Sequence, residues 1–75
     1  MNLNNVKLDV NCVIKEIKIQ DEKTKIRLME LGLIEGSFVK VYKKSVLKKT
    51  LLIIFNSTMF TLKENIAQDI VVKYA

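Results

Sequence analysis

The chain has no histidine, no proline and no tryptophan, a single cysteine, a single arginine and two glycines. Each scarcity excludes something. Without histidine, the commonest general base and the commonest metal ligand are missing. With Cys12 alone, no intramolecular disulfide and no cysteine-cluster zinc site can form. Cys12 lies in an apolar alternation, where a free cysteine behaves as a small buried hydrophobe, and a lone thiol fits a reducing compartment. The longest wholly apolar run, Leu51 to Phe55, falls far short of the ~18 residues of a membrane span. Met1 to Asn5 lacks the basic segment and apolar run of a signal peptide. A cytoplasmic protein is therefore expected.

At 75 residues, one domain over 1–75 is expected, and 49% hydrophobic against 28% charged residues marks a folding chain. The apolar content fills one core, with too little chain left for a deep substrate pocket as well. Together with the missing histidine, this predicts a non-enzymatic module without a cofactor. Thirteen Lys+Arg against eight Asp+Glu give a net charge of +5, and every basic residue except Arg27 is a lysine. Readers of nucleic acid usually rely on several arginines for bidentate contacts, so the charge does not choose among acidic partners.

Gly32 and Gly36 are the clearest punctuation. Val10 to Ile19 alternates with period two but changes phase near Lys15-Glu16: Val10, Cys12 and Ile14 share one face, Ile17 and Ile19 the other. That shift predicts a bulge in a long strand. Asp21 reads as the N-cap of a helix, with Ile26, Met29 and then Leu33 at helical spacing. Gly32 stands where a C′ residue is wanted, with Leu28 and Leu33 as the apolar pair of a Schellman ending. Glu35-Gly36 reads as the centre of a tight turn. Ser37 to Lys43 is the next strand, with Val39 and Val41 on one face and Phe38 and Tyr42 on the other. A basic loop with Lys43, Lys44, Lys48 and Lys49 follows.

Leu51–Phe55 and Thr58–Leu62 form a hairpin across Asn56-Ser57, pairing Phe55 with Thr58, Ile53 with Phe60 and Leu51 with Leu62. Leu51, Ile53, Phe55, Phe60 and Leu62 then form a core face. The opposite face, Leu52, Ile54, Met59 and Thr61, is also mostly apolar, so it is either covered within the domain or a contact surface. Lys63–Gln68 is a helical turn, with Thr61 and Glu64 spaced as a capping box, and Ile70–Tyr74 is a closing strand. The sum is a mainly β protein: a small SH3-like barrel of about five strands with one inserted short α-helix.

The run Arg27-Leu28-Met29-Glu30-Leu31-Gly32-Leu33-Ile34-Glu35-Gly36 resembles the signature of the FeoA family: Arg-Leu, then Leu-Gly, then a turn ending in glycine. Phe60 to Lys63, followed by Ala67, Ile70 and Val72, is similar to the family's closing pattern, and the resemblance spans about Leu8 to Val72. It implies an SH3-like barrel and a cytoplasmic role beside the ferrous-iron transporter FeoB, whose cytoplasmic part contains a GTP-hydrolysing region. It implies no metal ligands at the matching positions. Asn11 departs from a usual glycine, Glu35 from a frequent proline, and Lys48-Lys49-Thr50 from a Gly-Asp-Pro-like loop.

Arg27, Leu28, Leu31, Gly32 and Gly36 are thus expected to be structural, with Arg27 also placed to pair with Glu22 or Glu30. The phosphate-cradling reading of the two glycines fails, because they follow a helix and lack a Gly-Lys-Ser/Thr continuation. The expected partner-binding residues are Leu52, Ile54 and Met59, as an exposed apolar patch, and Lys43, Lys44, Lys48 and Lys49. The lysines suit a solvated loop, an acidic protein, an acidic membrane surface or nucleic acid. Nucleic acid comes third, behind the solvated loop and an acidic protein, because the aromatic residues read as core. Homo-oligomerisation through the apolar face or a strand edge is compatible with the accessory role beside the transporter.

Overall fold

The computed structural model describes residues 1–75. A 3₁₀ turn at Leu3–Asn5 leads into β1 (Asn11–Ile17), α1 (Glu22–Glu30), β2 (Phe38–Ser45), β3 (Thr50–Phe55), β4 (Thr58–Lys63), α2 (Glu64–Ala67) and β5 (Ile70–Tyr74). The strands make one sheet, ordered β4-β3-β2-β1-β5, with every pairing antiparallel. A single flat sheet would be a slab about 10 Å thick. Here buried residues from all five strands, Cys12, Val39, Ile53, Leu62 and Ile70 among them, meet in one cluster, as a sheet rolled around its core requires.

Two bulges allow the rolling. Ile14 pairs with Val72 but Glu16 with Val71, which leaves Lys15 as the extra residue where the alternation changes phase. Val41 pairs with Ile53 but Lys43 with Leu52, so Tyr42 is extra in β2. Each bulge bends its strand and sharpens its twist. The β3–β4 register is the expected one, and Asn56 and Ser57 both take positive φ (52° and 61°), as a two-residue turn of this hand demands.

The Asp21 carboxylate accepts the Thr24 N–H at 3.2 Å and caps α1. At the other end the Leu33 N–H donates to the Leu28 carbonyl (2.9 Å) and the Gly32 N–H to that of Met29 (2.9 Å), the two bonds of a Schellman ending. Gly32 has φ +90°, and Leu28 and Leu33 are both buried. Gly36, also at φ +90°, is the third residue of a turn closed by Ser37 N–H to Ile34 O (3.0 Å). The Ser37 hydroxyl donates to Gly32 O and accepts from Ile34 N–H, tying the helix ending to the turn.

Four local expectations are corrected. Ile26 and Met29 are exposed, and Leu28 is the one buried residue of α1. The ending aims Leu28 at Leu33, and at 100° per residue Met29 and Ile26 fall well off that stripe. Val10 and Phe38 are also exposed, as is Tyr42, while Phe55 is buried and Phe60 half-buried. Phe38 has opposite parity to the buried Val39, so it faces out. Thr61 remains in β4 opposite Leu52, and no capping box forms; the N-cap of α2 is Lys63, and the Glu64 N–H donates to Lys49 O instead. Lys43 and Lys44 belong to β2, leaving only Lys48 and Lys49 in the loop.

The N-terminal segment, which no sequence pattern assigned to the core, joins it. Leu3 and Val6 are buried core residues, the Met1 carbonyl accepts the Val72 N–H, and Asn2 bridges to Val71. All sixteen buried residues form one apolar cluster, with no buried polar or charged side chain.

Candidate functional site

The outward face of the sheet is the most apolar exposed surface that the strand pattern builds. Pairing places Ile54 between Lys40 and Met59, and Leu52 between Lys43 and Thr61. Phe38 pairs with Val13 and shares the face of Lys40 two residues on. Met59 is 54% and Phe38 62% exposed, while Leu52, Ile54 and Val13 are half-buried. No helix or strand covers this face. Its lysines frame it: Lys40 reaches the Asp9 carboxylate at 3.7 Å, the only ion pair of the molecule, and Lys43 stands beside Leu52.

The four lysines expected to act together are divided by the fold. Lys43 lies on the outer face. Lys44 pairs with Leu51, whose side chain points inward, and its Nζ donates to the Asn4 carbonyl at 2.6 Å. Lys48 and Lys49 occupy the β2–β3 turn, where Lys49 takes φ 53° and the Lys48 N–H donates to Ser45 Oγ. A lysine-rich stretch of chain is thereby spread over two faces and a tip.

A second concavity opens between α1 and the β3–β4 hairpin, a groove of about 420 Å³ with Leu28, Leu31, Phe55, Phe60 and Ile66 in its walls. Chain length argued against any such space beside the core. It exists because α1 contacts the barrel mainly through Leu28 and stands off the hairpin along the rest of its length. Arg27 and Lys63 are its charged lining residues, and Arg27 forms no ion pair with Glu22 or Glu30. No three His, Cys, Asp or Glu side chains gather anywhere as a metal site.

Two groups titrate away from their ordinary range. Desolvation pushes the buried Cys12 thiol up, and its Sγ lies 3.5 Å from Val10 O. The hydroxyl and N–H of Thr24 hold the Asp21 carboxyl below the usual carboxylate range. Both effects are structural, since neither group lies on the outer face. Sequence reasoning missed Phe38 and Tyr42 as surface residues, although strand parity already carried the signal for Phe38. It also missed Val46 and Leu47, which stand 85% and 97% exposed at the β2–β3 turn.

Comparison with known proteins converges on one family. The family model of the FeoA domain matches residues 1–74. The solution structure of FeoA from Chlorobium tepidum superposes with a TM-score of 0.89 at 26% identity, covering 99% of this chain and 70% of that one. The crystal structure of Stenotrophomonas maltophilia FeoA complexed with zinc, presented as an SH3 domain protein and a proposed ferrous iron transport activating factor, gives 0.81 at 28% identity. It covers 97% of this chain and 89% of that one. Iron(II) transport protein A of Clostridium thermocellum gives 0.86 at 20% identity over 100% of this chain and 46% of its own, a likeness of fold alone. No curated protein sequence matches the chain. With the motif Arg27 to Gly36 seated as helix, Schellman ending and turn in an SH3-like barrel, the chain belongs to the FeoA domain family.

Proposed function

We propose that this protein is a cytoplasmic, non-enzymatic accessory of ferrous-iron uptake that docks on the GTP-hydrolysing region of the transporter FeoB. Membership of the FeoA family supports a role in ferrous-iron transport. The observation that carries the docking surface is the uncovered face around Met59, Ile54, Leu52 and Phe38. An apolar centre framed by lysines is suited to anchoring at a few residues while charge speeds the encounter with an acidic surface. The effect on the transporter follows from differential affinity for one of its states, since a ligand that binds all states equally shifts none.

The test is capture of the FeoB GTP-hydrolysing region, and of the whole transporter in detergent, by the wild-type chain and by Met59→Lys and Ile54→Lys. Retention of either target that both substitutions weaken at least tenfold is expected. Failure to retain either at tens of micromolar would overturn the reading. Size-exclusion of the chain alone reports whether the same face pairs two copies.

A second reading gains from the exposure of Phe38 and Tyr42. Aromatic side chains beside Lys40 and Lys43 on an open sheet face can stack on bases of a single strand. Titration with single-stranded DNA and RNA at two salt concentrations separates the readings, because nucleic-acid affinity falls steeply with salt.

A further inference from the structure

The β2–β3 turn places two aliphatic side chains in water. Ser45 and Thr50 form the last pair of the ladder, and the four residues between them carry Val46 and Leu47, 85% and 97% exposed. Scattered exposed hydrophobes are ordinary, but two adjacent ones fully exposed at a turn are not, since turns favour polar residues and glycine. The turn is ordered by the Lys48 N–H on Ser45 Oγ and by the Glu64 N–H on Lys49 O.

Lysines surround this tip. Lys48 and Lys49 lie in it, and Lys63 is the cross-strand partner of Thr50, the residue that follows it. None is in an ion pair, and Glu64 is the one acidic residue lining the cleft between the turn and α2. The apolar pair is convex, whereas a protein partner would have to offer it a pocket. A bilayer interface offers a deformable apolar layer directly beneath a plane of phosphates, and lysines can bury their stems there with the ammonium groups at headgroup level.

We propose that the Val46–Lys49 tip seats reversibly on an anionic bilayer, with Val46 and Leu47 dipping below the headgroups and Lys48, Lys49 and Lys63 against the phosphates. Each signal is weak alone, and stable association needs both. The contact is separate from the outer sheet face, so it is tested without the transporter.

The chain has no tryptophan, so Leu47→Trp gives a reporter at the tip alone. Its emission is expected to shift to the blue with phosphatidylcholine vesicles containing phosphatidylglycerol, not with phosphatidylcholine alone, and to return when salt is raised. In co-sedimentation, Val46→Ser/Leu47→Ser is expected to lower partitioning onto the anionic vesicles about tenfold. Lys48→Glu/Lys49→Glu is expected to lower it by at least about fivefold for each lysine removed. The circular dichroism and melting of both variants should match wild type. No sedimentation of the wild type with anionic vesicles at low salt overturns the proposal. So does partitioning unchanged by Val46→Ser/Leu47→Ser, which would mean adsorption by charge alone. Loss of transporter capture in that variant with vesicle binding intact would make the tip a protein contact and equally overturn it.

Discussion

At Gly32 and Gly36 the backbone conformation itself demands glycine. Both sit at φ +90°, where an L side chain is strained, although a Cβ would meet the Phe55 ring at only 3.5 Å in the first case and nothing in the second. Alanine at either position is expected to cost about 1–2 kcal/mol, read as a fall in the urea midpoint without a change in slope. Asp21 and Cys12 give opposite pH signatures. The Asp21 pKa is lowered by folding, so its contribution is present above the unfolded pKa and lost as pH falls through the folded one. Protection of the Thr24 amide, relative to its intrinsic exchange rate at each pH, should fall on the acid side, and Asp21→Asn, which still caps, should remove that pH dependence. The Cys12 pKa is raised, so stability declines once the pH exceeds about 8.5 and the unfolded thiol ionises first. The thiol should react with disulfide reagents only on unfolding.

Among the elements, the turns hold the most room for change. Glu35 occupies the second position of the Ile34–Ser37 turn, a site that favours proline, and its N–H donates to no group in the chain. Glu35→Pro is expected to stabilise by about 0.4–1 kcal/mol through the unfolded chain, measured as a raised thermal midpoint. The N-terminal turn behaves in the opposite way. Leu3 is 1% exposed beneath β5 and α2, and Leu3→Ala is expected to cost about 2–5 kcal/mol in denaturant titration, a large part of what a small domain has. Met1 to Asn5 would then detach from β5, because the Val72 N–H to Met1 O bond depends on that anchor.

For the whole molecule, charge and apolar surface are arranged in two places. The outer face of β2–β4 places Met59, Ile54 and Phe38 between lysines, and the β2–β3 tip places Val46 and Leu47 among others. Met59→Lys, at the exposed residue of the outer face, should change capture of the transporter while leaving the core cluster and the melting temperature unaltered. The two surfaces predict a divided phenotype: Met59→Lys weakens the protein contact alone, and Val46→Ser/Leu47→Ser the vesicle contact alone. Binding and sedimentation performed on the same preparations read that division directly.

Much of this was legible along the chain because the interactions concerned are local. The cap at Asp21, the Schellman pair Leu28–Leu33, the turn at Gly36, the bulge near Lys15 and the Asn56-Ser57 hairpin all lie within a few residues of their partners, and alternation carries the core. Tertiary structure alone decided what depends on distant chain. Leu3 and Val6 are core only because β5 and α2 return to cover them, and an irregular Asn-rich stretch has no periodicity to reveal that. Met59, Ile54 and Leu52 had two possible environments of equal local pattern, and only the rolling of the sheet left their side uncovered. Lysines contiguous in sequence were separated because the Tyr42 bulge and strand pairing send Lys43 and Lys44 to opposite faces. Composition set what chemistry the chain could offer, while the closing of the barrel set which part of it stays exposed.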